Sequence, residues 1–170
     1  MLNQIGIKDD EFYKAVQSFK GAARRLEQIA VSESAVAFKD FAHSPSKLKA
    51  TVSAVKQQYP KRKLVACMEL HTFSSLKKDF LPEYKNAMAE ADEAFVYFNP
   101  HVVEHKRLEA ITADEVQKSF GTKNVKVFTD SVSLQEALKA MSWKNSNLLL
   151  MSSGNFDGVN LDEFARGLIE

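Results

Sequence analysis

One cysteine, four prolines and six glycines among 170 residues leave several architectures without material. A lone Cys67 cannot close an internal disulfide, and it sits inside an apolar run, so a disulfide scaffold is excluded and the thiol reads as core rather than nucleophile. The longest apolar stretches, such as Leu64 to Met68 and Leu148 to Met151, are strand-sized. A helical bilayer crossing needs roughly 20 apolar residues, so no membrane contact is expected. The opening Met1-Leu2-Asn3-Gln4 lacks the basic and apolar regions of a secretory signal, which with the cysteine count predicts a cytoplasmic protein. Lys and Arg number 23 against 22 Asp and Glu, for a net charge of +1 with no block of one sign. A polyanion such as nucleic acid therefore has no electrostatic footprint to bind. No Gly-x-x-x-x-Gly-Lys-Ser/Thr loop occurs, so the chain has no Walker cradle for a nucleoside triphosphate, and Gly-x-Gly-x-x-Gly is missing as well.

The remainder is ordinary globular material, 45% hydrophobic and 26% charged, in which strand-like and helix-like patterns alternate with little filler. A first helix is predicted from Asp9/Asp10, with a stripe of Phe12, Val16 and Phe19, ending before Gly21. Arg24 to Val31 and Ala35 to Lys39 read as two strands around the turn Ser32-Glu33-Ser34. Ser44 and Pro45 open a helix carrying Leu48, Val52, Val55 and Tyr59, stopped by Pro60. Leu64 to Glu69 is near-continuously apolar, as a strand buried on both faces should be. Residues 74–90 read as a helix split or kinked at Pro82, and Ala94 to Phe98 as another buried strand. Thr112 with Glu115, and Ser133 with Glu136, cap two more helices on either side of a strand at Val125 to Phe128. A last strand at Leu148 to Met151 and a helix from Asn160, with Leu161, Phe164 and Leu168 inward, complete the chain.

This alternation predicts an α/β, Rossmann-like three-layer domain: a mostly parallel sheet of about six strands with helices on both faces. Ligands of such sheets bind beyond the carboxyl ends of the strands, so the segments leaving that edge are the candidates. Asp40 and His43 stand just before a helix N-terminus suited to an anion, or else merely satisfy loop backbone. His71 follows the buried strand, as a donor to a substrate oxygen or a structural edge histidine. Ser152-Ser153-Gly154-Asn155-Phe156-Asp157-Gly158 joins a strand to a helix; its glycines allow close backbone approach to a ligand, or simply make a tight turn. His101 to His105 spells His-x-x-Glu-His, the pattern of inverted zinc peptidases. Pro100 before it, the two valines within it and the lack of an acidic third ligand favour a surface loop, and no metal site is expected.

Four segments in order carry a resemblance. Phe19 to Glu27, Lys39-Asp40-Phe41-Ala42-His43-Ser44-Pro45, Glu69-Leu70-His71-Thr72-Phe73-Ser74, and Met151 to Gly158 resemble the C-terminal domain of the Mur ligases, ATP-dependent amide-forming enzymes of peptidoglycan precursor synthesis. Within that family they are most similar to the recycling ligases that join UDP-N-acetylmuramate to the tripeptide L-alanyl-γ-D-glutamyl-meso-diaminopimelate. Thr72 and Ser75 stand where the L-alanine-adding ligases would carry arginines, and His101 replaces the arginine of an Asn-Pro-Arg loop, so only Asn99 is carried over from that loop. The resemblance implies that residues 1–20 are the end of a central domain and a hinge, with Arg24 and Arg25 beside it, and that residues 21–170 are the C-terminal domain, a lid inert by itself. It also implies ATP and Mg²⁺ bound mainly by the central domain, with that domain and the N-terminal one as partners in the same chain. Asp40, His43, His71, Asn99, Ser152, Ser153, Gly154, Asn155 and Phe156 would line the ATP and substrate sides of the cleft, with no catalytic residue contributed by this domain alone. The competing expectations are another Mur ligase, the L-alanine-adding one included, and a non-catalytic doubly wound ligand-binding module.

Overall fold

The structure, a computed structural model, describes residues 6, 8–17, 25–122 and 124–170. Phe19, Gly21 and Arg24, in and beside the expected hinge, lie outside them. Six strands, β1 (Glu27–Val31), β2 (Val36–Asp40), β3 (Lys63–Glu69), β4 (Glu93–Tyr97), β5 (Val125–Phe128) and β6 (Ser146–Met151), form one sheet in the order β1-β2-β6-β3-β4-β5. β1 and β2 are an antiparallel hairpin at one edge, and every other pairing is parallel. The expected α/β fold is therefore present.

The sheet separates two cores, because its central strands send alternate residues to opposite faces. From β3, Leu64, Ala66 and Met68 join one core, while Val65 and Cys67 join the other. The first core packs against α2 (Pro45–Gln58) through Leu48, Val52 and Val55, and against α4 (Ala113–Phe120) through Val116 and Phe120. The second packs against α5 (Ser131–Lys139) through Leu134 and Leu138, and against α6 (Leu161–Ile169) through Ala165 and Ile169, with Leu161, Phe164 and Leu168 half-buried alongside. Burial of Cys67 there pushes its thiol far above the ordinary range.

Five local expectations change. Residues 74–90 hold a short 3₁₀ helix, Lys78–Tyr84, rather than a long α-helix. The N–H groups of Lys85, Ala87 and Ala91 reach back three residues, to Pro82, Tyr84 and Met88, because Pro82 supplies no donor and breaks the four-residue ladder. Leu76, Tyr84 and Met88 are nonetheless fully buried, so the apolar stripe survives without the helix. Residues 100–105 are not a loop but a short helix, α3 (Pro100–His105): Asn99 accepts the His101 N–H at 2.9 Å, and Pro100 fits the first helical position. Cap and proline outweigh the valines, one of which, Val103, is buried. α5 starts three residues earlier than expected, because the Asp130 carboxylate rather than Ser133 is its cap, taking the Ser133 N–H at 2.7 Å. α1 (Asp9–Val16) is capped at Lys8 and buries none of its residues, so Phe12 and Val16 are exposed. Ser44 occupies the N-cap position of α2 without a side-chain hydrogen bond.

Candidate functional site

Chain order makes the crevice. From β3 the strands run outward to β4 and β5, and the chain then returns to place β6 on the other side of β3. The loops leaving β3 and β6 diverge there, at the switch point where parallel sheets bind ligands. The registers Asp40 with Met151, Met68 with Met151 and Glu69 with Tyr97 bring Asp40, His71, Ser152 to Phe156 and Asn99 to this one edge. Three strand spacings separate the chains bearing Asp40 and Asn99, about 14 Å at ~4.8 Å each.

The centre of the rim is Glu69, which sequence reasoning passed over. Its side chain continues the face of Val65 and Cys67, and the residue is only 3% exposed. The Ser152 hydroxyl and the Phe156 N–H both donate to Glu69 Oε2, the latter at 2.9 Å. Oε1 stands 3.5 Å from His71 Nδ1. Gly154 donates its N–H to Ser152 Oγ at 2.6 Å, and a Cβ on it would come within 2.8 Å of Glu69 Oε2 and 2.9 Å of His71 Cγ. Only glycine fits between them. Phe156 (φ +50°) and Asp157 (φ +65°) are both left-handed without being glycine. Strained backbone of this kind persists when its surroundings over-determine it, and here Glu69 anchors the first of the pair. A carboxylate ending a near-continuous apolar run was the available signal for Glu69.

Tyr97 continues the same face from β4 and stacks on Phe156 at 6.1 Å between ring centroids. Burial first, then the carboxylates of Asp157 and Glu69, pushes its hydroxyl up to about 12. Asn99 stands within reach of the Tyr97 hydroxyl, and Ser153 Oγ is buried without a hydrogen-bond partner among the described residues.

The other candidates divide. Asp40 Oδ1 accepts the Ala42 N–H and Oδ2 the Leu26 N–H, each at 2.6 Å, so this carboxylate is already engaged in holding its loop. His43 Nδ1 lies 2.9 Å from Phe41 O, and because a carbonyl can only accept, Nδ1 carries the hydrogen and Nε2 is left for a partner. The His43 carbonyl takes the Tyr84 hydroxyl at 2.6 Å, and burial pushes that phenol up to about 12. Asn155 Oδ1 accepts the Gly158 N–H at 2.9 Å, so the amide shapes the turn, while the residue itself is exposed. A cleft of about 170 Å³ between β2, β6 and the start of α6 takes in Asp40, Ser152, Gly154 and Asn155, but not His43, His71 or Asn99. Lys39, also in it, pairs with Asp162 at 2.8 Å. Among the described residues, no group of three or more His, Cys, Asp or Glu side chains is placed to hold a metal ion, and no helix is long and apolar enough to cross a membrane.

Known proteins bear on this arrangement. A UDP-N-acetylmuramate–L-alanine ligase of Limosilactobacillus reuteri is 25% identical over 148 residues, 87% of this chain and 32% of that protein. Among solved structures, the UDP-N-acetylmuramate–alanine ligase of Thermotoga maritima matches with a TM-score of 0.68 at 19% identity, covering 92% of this chain and 32% of the other. A murein peptide ligase of Psychrobacter arcticus matches with a TM-score of 0.62 at 20% identity, covering 99% and 35%. The chain thus spans about a third of the length of these relatives. A stand-alone ligand-binding module gains no support from them. The family described as "Mur ligase, glutamate ligase domain" matches residues 24–154, and the chain belongs to that family.

Proposed function

We propose that this chain is the amine-binding C-terminal domain of an ATP-dependent ligase that joins UDP-N-acetylmuramate to L-alanyl-γ-D-glutamyl-meso-diaminopimelate. The observation that carries this reading is the gathering of Asp40, His71, Asn99 and the Ser152–Phe156 loop along one edge of the sheet, where Asp40, Ser152, Gly154 and Asn155 line a small cleft. Complete small-molecule pockets run to about 300–1,000 Å³. A cleft of about 170 Å³ suits one half of a site that other domains complete. The UDP-N-acetylmuramate part is supported by relatives whose names carry that substrate.

ATP and Mg²⁺ belong to the central domain in this reading. The residues here do not form a phosphate cradle: there is no Walker loop, and Lys39, the cation in the cleft, is held by Asp162 and Glu27. What the domain supplies is delivery. Asp40 fixes the loop on the nucleotide side, His43 and His71 face the reacting centre, and Asn99 with Ser152 to Phe156 lines the pocket for the distal end of the amine substrate. Closure of this domain over the others would bring the amine to the activated carboxyl carbon and exclude water.

A second reading, L-alanine as the amine, is favoured by the curated relative from Limosilactobacillus reuteri. Phosphate release by the full-length protein, with UDP-N-acetylmuramate and either amine, separates the two. Faster release with the tripeptide supports the first, and faster release with L-alanine supports the second. Release independent of UDP-N-acetylmuramate would refute both.

A further inference from the structure

Glu69 is a carboxyl side chain in a place that normally excludes one. It is 3% exposed, it ends the apolar row of Val65 and Cys67, and each of its oxygens has a distinct task. Oε2 receives the Ser152 hydroxyl and the Phe156 N–H, which ties the β6 loop to β3. Oε1 faces His71 Nδ1 at 3.5 Å. Gly154 packs between the two groups, where an added Cβ would stand 2.8 Å from Glu69 Oε2, 2.9 Å from the imidazole Cγ and 3.0 Å from Nδ1. The Nδ1 edge of the ring is therefore packed by a carboxylate and a glycine backbone, while 39% of the side chain remains open at the rim.

We propose that Glu69 is a positioning residue that fixes His71 with Nδ1–H turned inward, so that Nε2 accepts a proton from the amine substrate; the proton-accepting half rests on the ligase reading above. At 3.5 Å the two groups are in charge-pair contact, and a carboxylate offers only acceptors, so Nδ1–H is the tautomer that this neighbour favours. A neutral imidazole in that tautomer presents a lone pair outward. A lone pair matches an N–H donor and is repelled by carboxylate or phosphate oxygens, so His71 serves the amine rather than holding an oxyanion. The step itself is small: the N–H bond of the substrate ammonium breaks, and its electron pair stays on nitrogen as the nucleophilic lone pair. The proton bonds to Nε2, and the imidazolium charge that results faces Glu69. A carboxylate behind a histidine performs the same orienting task in acyl-transfer triads.

Two measurements test it. In the 170-residue chain labelled with ¹⁵N-histidine, long-range ¹H–¹⁵N correlations of the neutral imidazoles report the tautomer, with His71 assigned from the signal lost in His71→Asn. The expected result is Nδ1–H for His71 in the unsubstituted chain and a shift toward Nε2–H in Glu69→Gln. Nε2–H in the unsubstituted chain overturns the positioning role, whether or not the variant folds. In the full-length enzyme, His71→Ala should lower kcat by about 10²–10⁴-fold with KM for the amine nearly unchanged, and added imidazole should restore part of the rate. Glu69→Gln should lower kcat by about 10-fold or more. A raised KM with unchanged kcat in His71→Ala overturns the proton transfer. Absence of amide formation with any amine in the unsubstituted enzyme overturns the ligase reading and the proton transfer with it, while the tautomer still decides the positioning role.

Discussion

Gly154 and His71 approach so closely that a methyl group on the glycine would stand 2.9 Å from the imidazole Cγ, nearer than carbon atoms pack. Neither neighbour gives way easily, because Glu69 Oε2 closes the same space at 2.8 Å and is itself tied to Ser152 and Phe156. Gly154→Ala should therefore act as overpacking, costing about 1–3 kcal/mol of stability. It should also displace the His71 ring. Urea denaturation measures the first effect and the His71 side-chain resonances the second; an unchanged midpoint with unmoved resonances would show that the loop relaxes freely.

Asp40 makes two short hydrogen bonds to backbone N–H groups, Ala42 in its own loop and Leu26 at the entry to β1. Removing the carboxylate strands both donors in a half-buried setting, where an unsatisfied polar group costs about 1–3 kcal/mol. Asp40→Ala is expected to destabilise the chain by an amount in that range, with Asp40→Asn milder because one oxygen survives. Equilibrium denaturation of the two variants checks the order. Equal stability of Asp40→Ala and the parent would mean water replaces both bonds.

His43 differs from Asp40 in having one ring nitrogen uncommitted: Nδ1 is spent on Phe41 O, and Nε2 remains. In the full-length protein, His43→Ala is expected to lower turnover while leaving UDP-sugar affinity nearly unchanged, since the proposed function gives this domain the amine side of the cleft. Steady-state kinetics alongside calorimetric titration of the UDP-sugar separates these quantities. Parallel loss of both would remove His43 from the amine half of the site.

Burial predicts chemistry at Cys67 as well. The fully enclosed thiol is held far above its ordinary titration range by desolvation, so the reactive thiolate is scarce in the folded chain at neutral pH. Alkylation of the native chain should be slow and should track unfolding, with urea accelerating it steeply. Rapid modification without denaturant would indicate that β3 opens locally.

The parallel strands were legible because buried β3 and β6 are apolar on both faces, a pattern that survives any register. Caps were legible where side chain and spacing agreed, as at Thr112 with Glu115, whose reciprocal bonds are both present. The region around Pro82 was not, because its apolar spacing fits an α-helix and only the missing donor decides for 3₁₀ turns. Positions at the rim followed from strand ends, so Asp40, His71 and Ser152 to Phe156 were found on one edge. Glu69 was missed because its neighbours made it look like the end of a hydrophobic run. Its role depends on partners 83 and 87 residues away in the chain, Ser152 and Phe156, which no local window contains.

Acid should expose one further device, the network that joins the 3₁₀ helix to α4. Lys78 Nζ lies 2.7 Å from Glu115 Oε1, and the Thr112 N–H donates to Glu115 Oε2 at 2.9 Å. The lysine first, and the Thr112 donors after it, hold this carboxyl near 2, against an ordinary value of 4.5. A folded-state value below the unfolded one means that the stabilisation is present above about pH 4.5 and lost as pH falls toward 2. Glu93 beside Lys63, and Asp130 capping Ser133, are also held low and add to the same decline. The parent chain alone therefore cannot isolate Glu115, but Glu115→Gln can, because glutamine keeps an acceptor oxygen for Thr112 and loses the charge. Its melting temperature should lie below the parent's at pH 7 and converge on it as pH approaches 2, with the gap at pH 7 narrowing in high salt, as expected of an exposed pair. Curves that stay parallel over the whole range would show that the Lys78–Glu115 pair contributes nothing through its charge.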